Sequence, residues 1–153
     1  MKKALLTIVA IVAATNLLNA GTYTWTGAAG DGLWFTAGNW NYDDGSGNVT
    51  SPAATSPGNA PSDDVVIANG DTVSYSPGGD WMPTGTTTIS GGSKLVQVSG
   101  GAWPNIQGAL ILDGGHYDSG SAGQIKVNAI ITVRNGGSAI FPNTINADSV
   151  GSF

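Results

Sequence analysis

The chain of 153 residues has no cysteine and no glutamate, and it has a single histidine. The absence of cysteine excludes disulfides, thiolate metal ligands and thiol nucleophiles. All ten acidic residues are aspartate. Aspartate favours turns whereas glutamate favours helices, so this bias argues against a helical fold.

The N-terminal segment predicts the compartment. Lys2 and Lys3 precede an apolar run over residues 4–14. This run is too short to span a bilayer, so residues 1–20 are interpreted as a secretory signal peptide that is removed after Ala20. The sequence therefore predicts a secreted or cell-surface protein without membrane insertion.

Basic residues are scarce in the remaining chain. Only Lys94, Lys126 and Arg134 oppose ten aspartates once residues 1–20 are removed. A strongly acidic surface repels polyanions, so nucleic acid and anionic lipid are not expected as partners.

Glycine is abundant, with 24 residues, and short runs of alternating apolar residues lie between glycine, asparagine, aspartate and serine. This pattern is typical of an all-β protein. We predict a Trp-rich N-terminal cap and a Gly/Pro/Ser loop over residues 21–62, followed by repeats over residues 63–153.

The repeats are visible as four aligned segments, DVVIANGDTV, TTTISGGSKL, ALILDGGHYD and IITVRNGGSA. Their marker glycines, Gly70, Gly92, Gly115 and Gly136, recur at a nearly constant spacing. A period of about 22 residues with one pair of strands around a glycine turn predicts a parallel β-solenoid of about four rungs. Aliphatic residues three and five positions before each marker are expected to point inward.

The two ends of such a stack expose strand edges, which attract other chains. Trp25, Trp34 and Trp40 are expected to pack as the core of the N-terminal cap. The C-terminal sequence DSVGSF shows no obvious cap. We expect a partner or a second copy at that end, as a homodimer or by end-to-end self-association.

The N-terminal motifs W-x-G (Trp25, Gly27), G-x-W (Gly32, Trp34), Asn39-Trp40, Pro57-Gly58 and P-x-D-D (Pro61, Asp63, Asp64) carry a resemblance. The chain resembles secreted bacterial β-solenoid proteins of the autotransporter-associated repeat type. The resemblance covers roughly residues 23–140. It implies a right-handed parallel β-helix and an adhesive or structural role, and it implies no catalytic mechanism.

A second, local resemblance concerns Asp118-Ser119-Gly120-Ser121, which is similar to the D-[ST]-G-[ST] motif of aspartic proteases. The resemblance implies a catalytic Asp118 oriented by Ser119 and Ser121. Two such aspartates share a proton and activate a water, so a single copy per chain requires a homodimer.

The repeat alignment places Asp118 at the inward position that Val73, Leu95 and Ala139 occupy in the other repeats. A buried carboxylate costs several kcal/mol unless it is paired. Either the register slips by one residue and Asp118 faces solvent, or the site is a polar pocket. His116 lies two positions away on the same side of the strand, where it can pair with Asp118 or remain a solvated turn residue.

Trp81 and Trp103 lie in Pro- and Gly-rich corners, one repeat period apart. If exposed, two aligned indoles form a platform for sugar rings or for an apolar partner surface, and if folded back they only pack.

The stretch Asn41–Asn48 offers side-chain oxygens to calcium, but the spacing of known calcium loops is absent, so no metal and no cofactor are predicted.

The sequence thus predicts a module that binds extracellular glycan or glycoprotein through Trp81, Trp103, His116 and Tyr117. The alternative is an aspartic-type endopeptidase that degrades extracellular glycoprotein such as mucin, with Asp118 as its catalytic residue. A third interpretation is a structural subunit that stacks end to end.

Overall fold

The computed structural model of the protein describes residues 20–58, 62–76, 82, 85–98, 105–120, 125–141 and 145–146. Within these ranges the regular secondary structure is β-strand, together with a short 3₁₀ helix at Ala37–Asn39. The prediction of an all-β protein is confirmed. A search of the same ranges for a helix long and apolar enough to cross a membrane finds none.

The Trp-rich segment forms three antiparallel strands, β1 (Thr22–Trp25), β2 (Trp40–Asp43) and β3 (Val49–Thr50). β2 lies between β1 and β3, and Trp25 stands opposite Trp40. The free side of β1 pairs in parallel with β4 (Asp64–Ile67), the first strand of the repeats. The cap is therefore joined to the repeats by a continuous sheet.

The repeats alternate between two sheets. The strands after β4 are β5 (Thr72–Tyr75), β6 (Thr86–Ser90), β7 (Lys94–Gln97), β8 (Asn105–Asp113), β9 (His116–Asp118), β10 (Ile125–Arg134), β11 (Ser138–Ile140) and β12 (Ile145–Asn146). The eight-stranded sheet has the order β12-β10-β8-β6-β4-β1-β2-β3, and the four-stranded sheet has the order β11-β9-β7-β5. All pairs between repeat strands are parallel.

The pairing in the eight-stranded sheet follows the alignment expected from the sequence. Ile67 pairs with Ile89, Ile89 with Leu112, and Leu112 with Val133. These are the aliphatic residues three positions before each predicted marker glycine. The predicted register is therefore confirmed for this sheet.

In the four-stranded sheet the simple repeat alignment does not hold at the third repeat, where the register slips by one residue, as the first of the two alternatives for Asp118 expected. Leu95 pairs with Tyr117, and Tyr117 pairs with Ala139. Asp118 instead pairs with Val96 and Ile140, so it lies one position away from the inward row.

The reason is a shorter corner between β8 and β9. The glycine with a left-handed φ at this corner is Gly114, at 69°, not the predicted marker Gly115. The step from Leu112 to Tyr117 is consequently one position shorter than the step from Ile89 to Leu95. Because side chains alternate along a strand, a change of one position exchanges the inward and outward sides.

One hydrophobic cluster takes side chains from both sheets and from the cap. Trp34 and Trp40 are 1% and 0% exposed, and their ring centroids lie 5.0 Å apart in an edge-on arrangement. Trp25 meets Trp40 in a similar geometry at 4.9 Å. The prediction that these three tryptophans pack together is confirmed.

The core becomes more exposed in the last repeat. Leu112 is fully buried, whereas Val133, its partner on β10, is 50% exposed. On the outward side of the same repeat, Ile130 and Ile140 are 64% and 58% exposed. Ile130, Val133 and Ile140 are therefore accessible in the single chain.

Candidate binding face of the four-stranded sheet

The outward side of the four-stranded sheet presents two rows of side chains, which we call the outer face. On β9, Tyr117 is 2% exposed and points inward, while His116 and Asp118 are half-buried and point outward. The parallel register extends these positions across the neighbouring strands. The first row is Thr72, Lys94, His116 and Ser138, and the second row is Ser74, Val96, Asp118 and Ile140.

Polar contacts link side chains of neighbouring strands on the outer face. His116 Nδ1 lies 2.8 Å from Ser138 Oγ, and Lys94 Nζ lies 3.4 Å from Asp118 Oδ2. The side chains of Lys94 and Asp118 are 40% and 23% exposed. Ion pairs with this much solvent contact contribute about 0.2–1 kcal/mol, so a ligand can displace them at little cost.

Asp118 is held locally by its own backbone turn. Its Oδ1 accepts a hydrogen bond from the N–H of Gly120 at 2.9 Å. Ser119 is 1% exposed, and its Oγ has no hydrogen-bond partner. Ser119 therefore does not orient the Asp118 carboxylate, as the protease resemblance implies, and Ser121 lies outside the described residues.

Tyr117 belongs to the core. Its ring lies 5.7 Å from the ring of Phe141, centroid to centroid, and burial raises the pKa of its phenol far above the ordinary range. The sequence groups Tyr117 with the ligand contacts. In the structure its side chain points away from the outer face, so that assignment is corrected.

Trp81 and Trp103 lie outside the described residues. Their positions in the chain are nevertheless informative, because Trp81 lies between β5 and β6 and Trp103 between β7 and β8. The strands before these two positions end in register, since Tyr75 at the end of β5 pairs with Gln97 at the end of β7. Val98, the first residue of the second connection, is 47% exposed.

A cavity of about 250 Å³ lies beside the first row, and we call it the Trp25 notch. Trp25 Nε1 donates to Asp71 Oδ2 at 3.0 Å, and the side-chain amide of Asn69 donates to the same oxygen at 2.7 Å. Gly27 has a φ of 67°, which disfavours any other residue, and a Cβ atom there would lie 2.7 Å from that oxygen. The lining residues are Trp25, Gly27, Gly30, Gly32, Asp71 and Thr72.

The acidic loop considered as a calcium site is organised by its own hydrogen bonds. Asp44 Oδ1 accepts from the backbone N–H groups of Ser46 and Asn48, and its Oδ2 accepts from the Asn48 side chain. The bond from the Asn48 side chain is the main cause that lowers the pKa of Asp44. No cluster of three or more metal-ligating His or acidic side chains occurs in the ranges that the structure describes.

Sequence reasoning missed the partners of the two polar residues on β9. Lys94 lies one repeat before His116, and Ser138 lies one repeat after it. The repeat period alone could have identified both, because in-register strands bring residues one period apart into contact. The Trp25 notch was missed as well, although its tryptophan and glycines belong to the W-x-G and G-x-W motifs.

Comparison with models of known protein families, with curated proteins and with solved structures finds no match for this chain. The class that the structure defines is an all-β protein with two sheets of mainly parallel strands, the larger of which ends in three antiparallel strands. Any functional conclusion has to come from the chemistry of the outer face and its surroundings.

Proposed function

We propose that the protein is a secreted or cell-surface binding module that contacts extracellular glycan or glycoprotein through the outer face and the tryptophan-bearing connections beside it. The observation that supports this best is the pair of in-register rows on the four-stranded sheet. These rows place an imidazole, hydroxyls, an ammonium and a carboxylate on one accessible surface.

A hydroxyl-rich ligand needs both donors and acceptors at fixed spacing. Neighbouring strands lie about 4.7–4.9 Å apart, so the side chains within each row recur at that interval. Lys94 supplies donors, Asp118 supplies acceptors, and the His116–Ser138 pair supplies either. Because the existing contacts on this face are solvent-exposed, exchanging them for contacts with a ligand costs little.

The tryptophan side chains would complete such a site. Trp81 and Trp103 follow neighbouring in-register strands and are separated by one repeat period. Indole rings provide a large apolar surface with one polar group, which suits the apolar faces of sugar rings. Exposure of the two rings is part of the proposal.

The same proposal includes the architecture of the repeats. We infer that the two sheets are two faces of a β-solenoid in which each repeat contributes one strand to each face. The alternation of β4 to β11 between the sheets and the nearly constant offset between paired strands support this interpretation. The resemblance to autotransporter-associated repeat proteins implies a right-handed coil.

The test is a binding assay on the secreted protein with mucin glycoprotein and with its released glycans. Trp81→Ala and Trp103→Ala are each expected to weaken binding roughly tenfold, as loss of about 1.4 kcal/mol per contact would give. His116→Ala is expected to weaken it less. Thr88→Ala is the control, because Thr88 is half-buried on the outward side of the other sheet. Equal effects of Thr88→Ala and the tryptophan variants would contradict the assignment of the face.

The endopeptidase alternative receives less support from the geometry. Lys94 neutralises part of the charge of Asp118, whereas a proton-sharing pair needs a second carboxylate at that place. A second chain would have to bring its own Asp118 to the outer face. Mucin digestion by wild type and not by Asp118→Asn at acidic pH would establish this alternative and displace the binding proposal.

A further inference from the structure

The first described residues of the chain form an unusual contact with a carboxylate. The backbone nitrogen of Gly21 donates to Asp63 Oδ1 at 3.1 Å, across a separation of 42 positions in the sequence. The carbonyl oxygen of Gly21 accepts a hydrogen bond from the backbone N–H of Asp64 at 2.8 Å. Gly21 is thereby fixed at both of its polar groups, immediately before β1 begins.

The surroundings of Gly21 leave no room for a side chain. A Cβ atom at this position would lie 2.5 Å from Tyr42 Cε2, so the tyrosine ring covers the residue. Gly21 is buried, whereas Ala20 is exposed. The chain therefore passes from solvent into the fold between these two residues.

We infer that the leader is cleaved between Ala20 and Gly21, and that the α-ammonium group created there is bound as an ion pair by Asp63. This inference rests on the export that the proposed function includes. A leader peptidase of the export machinery would add water to the Ala20–Gly21 amide. The C–N bond breaks, Ala20 leaves as a carboxylate, and the amine of Gly21 takes up a proton.

The geometry suits an ammonium better than the amide that precedes it. The amide offers Asp63 one hydrogen, and the ammonium adds a full positive charge at the same nitrogen. The hydrogen bond from the amide is already assisted by the charge of the carboxylate, and the ammonium converts it into an ion pair in which both partners are charged. Processing would therefore tighten the contact that ties β1 to the segment before β4.

Ionisable residues close to Gly21 include Tyr42, which covers it, Asp64, whose backbone N–H donates to its carbonyl, and Asp43, which lies opposite Thr22. Burial raises the pKa of Tyr42, and the charge of Asp63 adds to this effect, so the phenol stays neutral at pH 7. Asp43 lies opposite Thr22 on β2, and its Oδ1 accepts from Gly45. Asp64 Oδ1 accepts from the N–H of Thr86. Asp63 is thus the carboxylate in contact with the nitrogen.

The first experiment is intact mass and N-terminal peptide analysis of the full chain expressed with its own leader and recovered after export. We expect one N-terminus, at Gly21. Cleavage at another bond would overturn the inference while leaving export, and so the proposed function, intact. Retention of residues 1–20 on the recovered protein would overturn both.

The second experiment measures the rate at which an amine-acylating reagent labels the α-amino group as pH is varied. An ordinary α-amino group has a pKa of about 7.7–8.0, and an adjacent carboxylate raises it. Asp63→Asn keeps an oxygen that can accept from Gly21 but removes the charge. We expect labelling of this variant at pH 7 to be roughly three to ten times faster than that of wild type, as a shift of about half to one unit would give.

Asp43→Asn is the matched control, because it removes an equal charge on the adjoining strand. It is expected to change the labelling rate much less than Asp63→Asn does, because Asp43 Oδ1 accepts from Gly45 whereas the Gly21 nitrogen donates to Asp63. Equal labelling of wild type and Asp63→Asn would refute the ion pair. If Asp63→Asn fails to fold, Nα-acetylation of folded wild type replaces it as the test, because acetylation removes the charge of the α-amino group. An unchanged melting temperature after acetylation would also refute the ion pair.

Discussion

Replacing Thr87 by valine should stabilise the protein. Thr87 is 1% exposed on the inward side of β6, in register with Val65 on one side and Leu110 on the other. Its Oγ1 has no hydrogen-bond partner. A buried hydroxyl without a partner costs about 1–3 kcal/mol of desolvation, and valine fills nearly the same volume with a methyl group.

We therefore expect Thr87→Val to raise the free energy of unfolding by about 1–2 kcal/mol. The melting temperature should rise by roughly 3–8 °C, as expected for a domain of this size. Thermal unfolding followed by circular dichroism, with denaturant unfolding for the free energy, measures both quantities.

The neighbouring residue provides a matched control. Thr88 is half-buried on the outward side of the same strand. Thr88→Val makes the same chemical change with the same effect on strand propensity, so it should alter stability by less than about 0.5 kcal/mol. A destabilised Thr87→Val, or two variants with equal effects, would show that the Thr87 hydroxyl is not an unsatisfied buried group.

Two further predictions concern the loss of stability at low pH and the packing of Gly115 between β8 and β9. Hydrogen bonds from the Thr36 side chain, the Leu33 N–H and the Asn39 side chain lower the pKa of Asp31 below 3.8, so its stabilising effect is present above that pH and is lost as pH falls through the lowered pKa. The melting temperature of wild type should therefore fall more steeply between pH 5 and pH 2 than that of Asp31→Asn, and parallel curves would contradict this role. Gly115→Ala should cost about 1–3 kcal/mol in denaturant unfolding, because a Cβ atom would meet the Ile89 carbonyl and lie 2.7 Å from Ile89 Cγ2. Gly58→Ala, whose Cβ would find its nearest neighbour at 4.0 Å, is the control and should be nearly neutral, so equal losses would refute the packing argument.

The sequence was sufficient to predict the strands and the register of one sheet. Ile67, Ile89, Leu112 and Val133 recur at fixed distances before a glycine, and their parallel pairing follows from that repetition. The tryptophans of the cap were equally predictable, because three large apolar rings in a short segment must pack together in a chain of this size. Trp34 and Trp40 do so with almost no exposure.

The corner before β9 could not be predicted in the same way. Asp113-Gly114-Gly115 offers two glycines, and either can follow the aliphatic residue as the marker. The choice depends on which glycine adopts a positive φ and which must be small because another strand's backbone approaches it. In the structure Gly114 has the φ of 69°, and Gly115 packs against Ile89. Both requirements depend on contacts with strands that are distant in the sequence, so the local sequence does not reveal them.

The choice between Gly114 and Gly115 at this corner determines which side chains of β9 point outward, and so how their chemistry is interpreted. With Gly115 at the corner, Asp118 would be a buried carboxylate that demands a catalytic or polar-pocket explanation. With Gly114 there, Tyr117 joins the aromatic core beside Phe141, and His116 and Asp118 turn outward to meet Ser138 and Lys94. The aspartic-protease motif is present in the sequence, but in the structure Ser119 Oγ makes no hydrogen bond and Lys94 lies beside the Asp118 carboxylate. The same residues became a surface that can exchange hydrogen bonds with a ligand, which is why the register of the strand, more than the motif, supports the binding proposal.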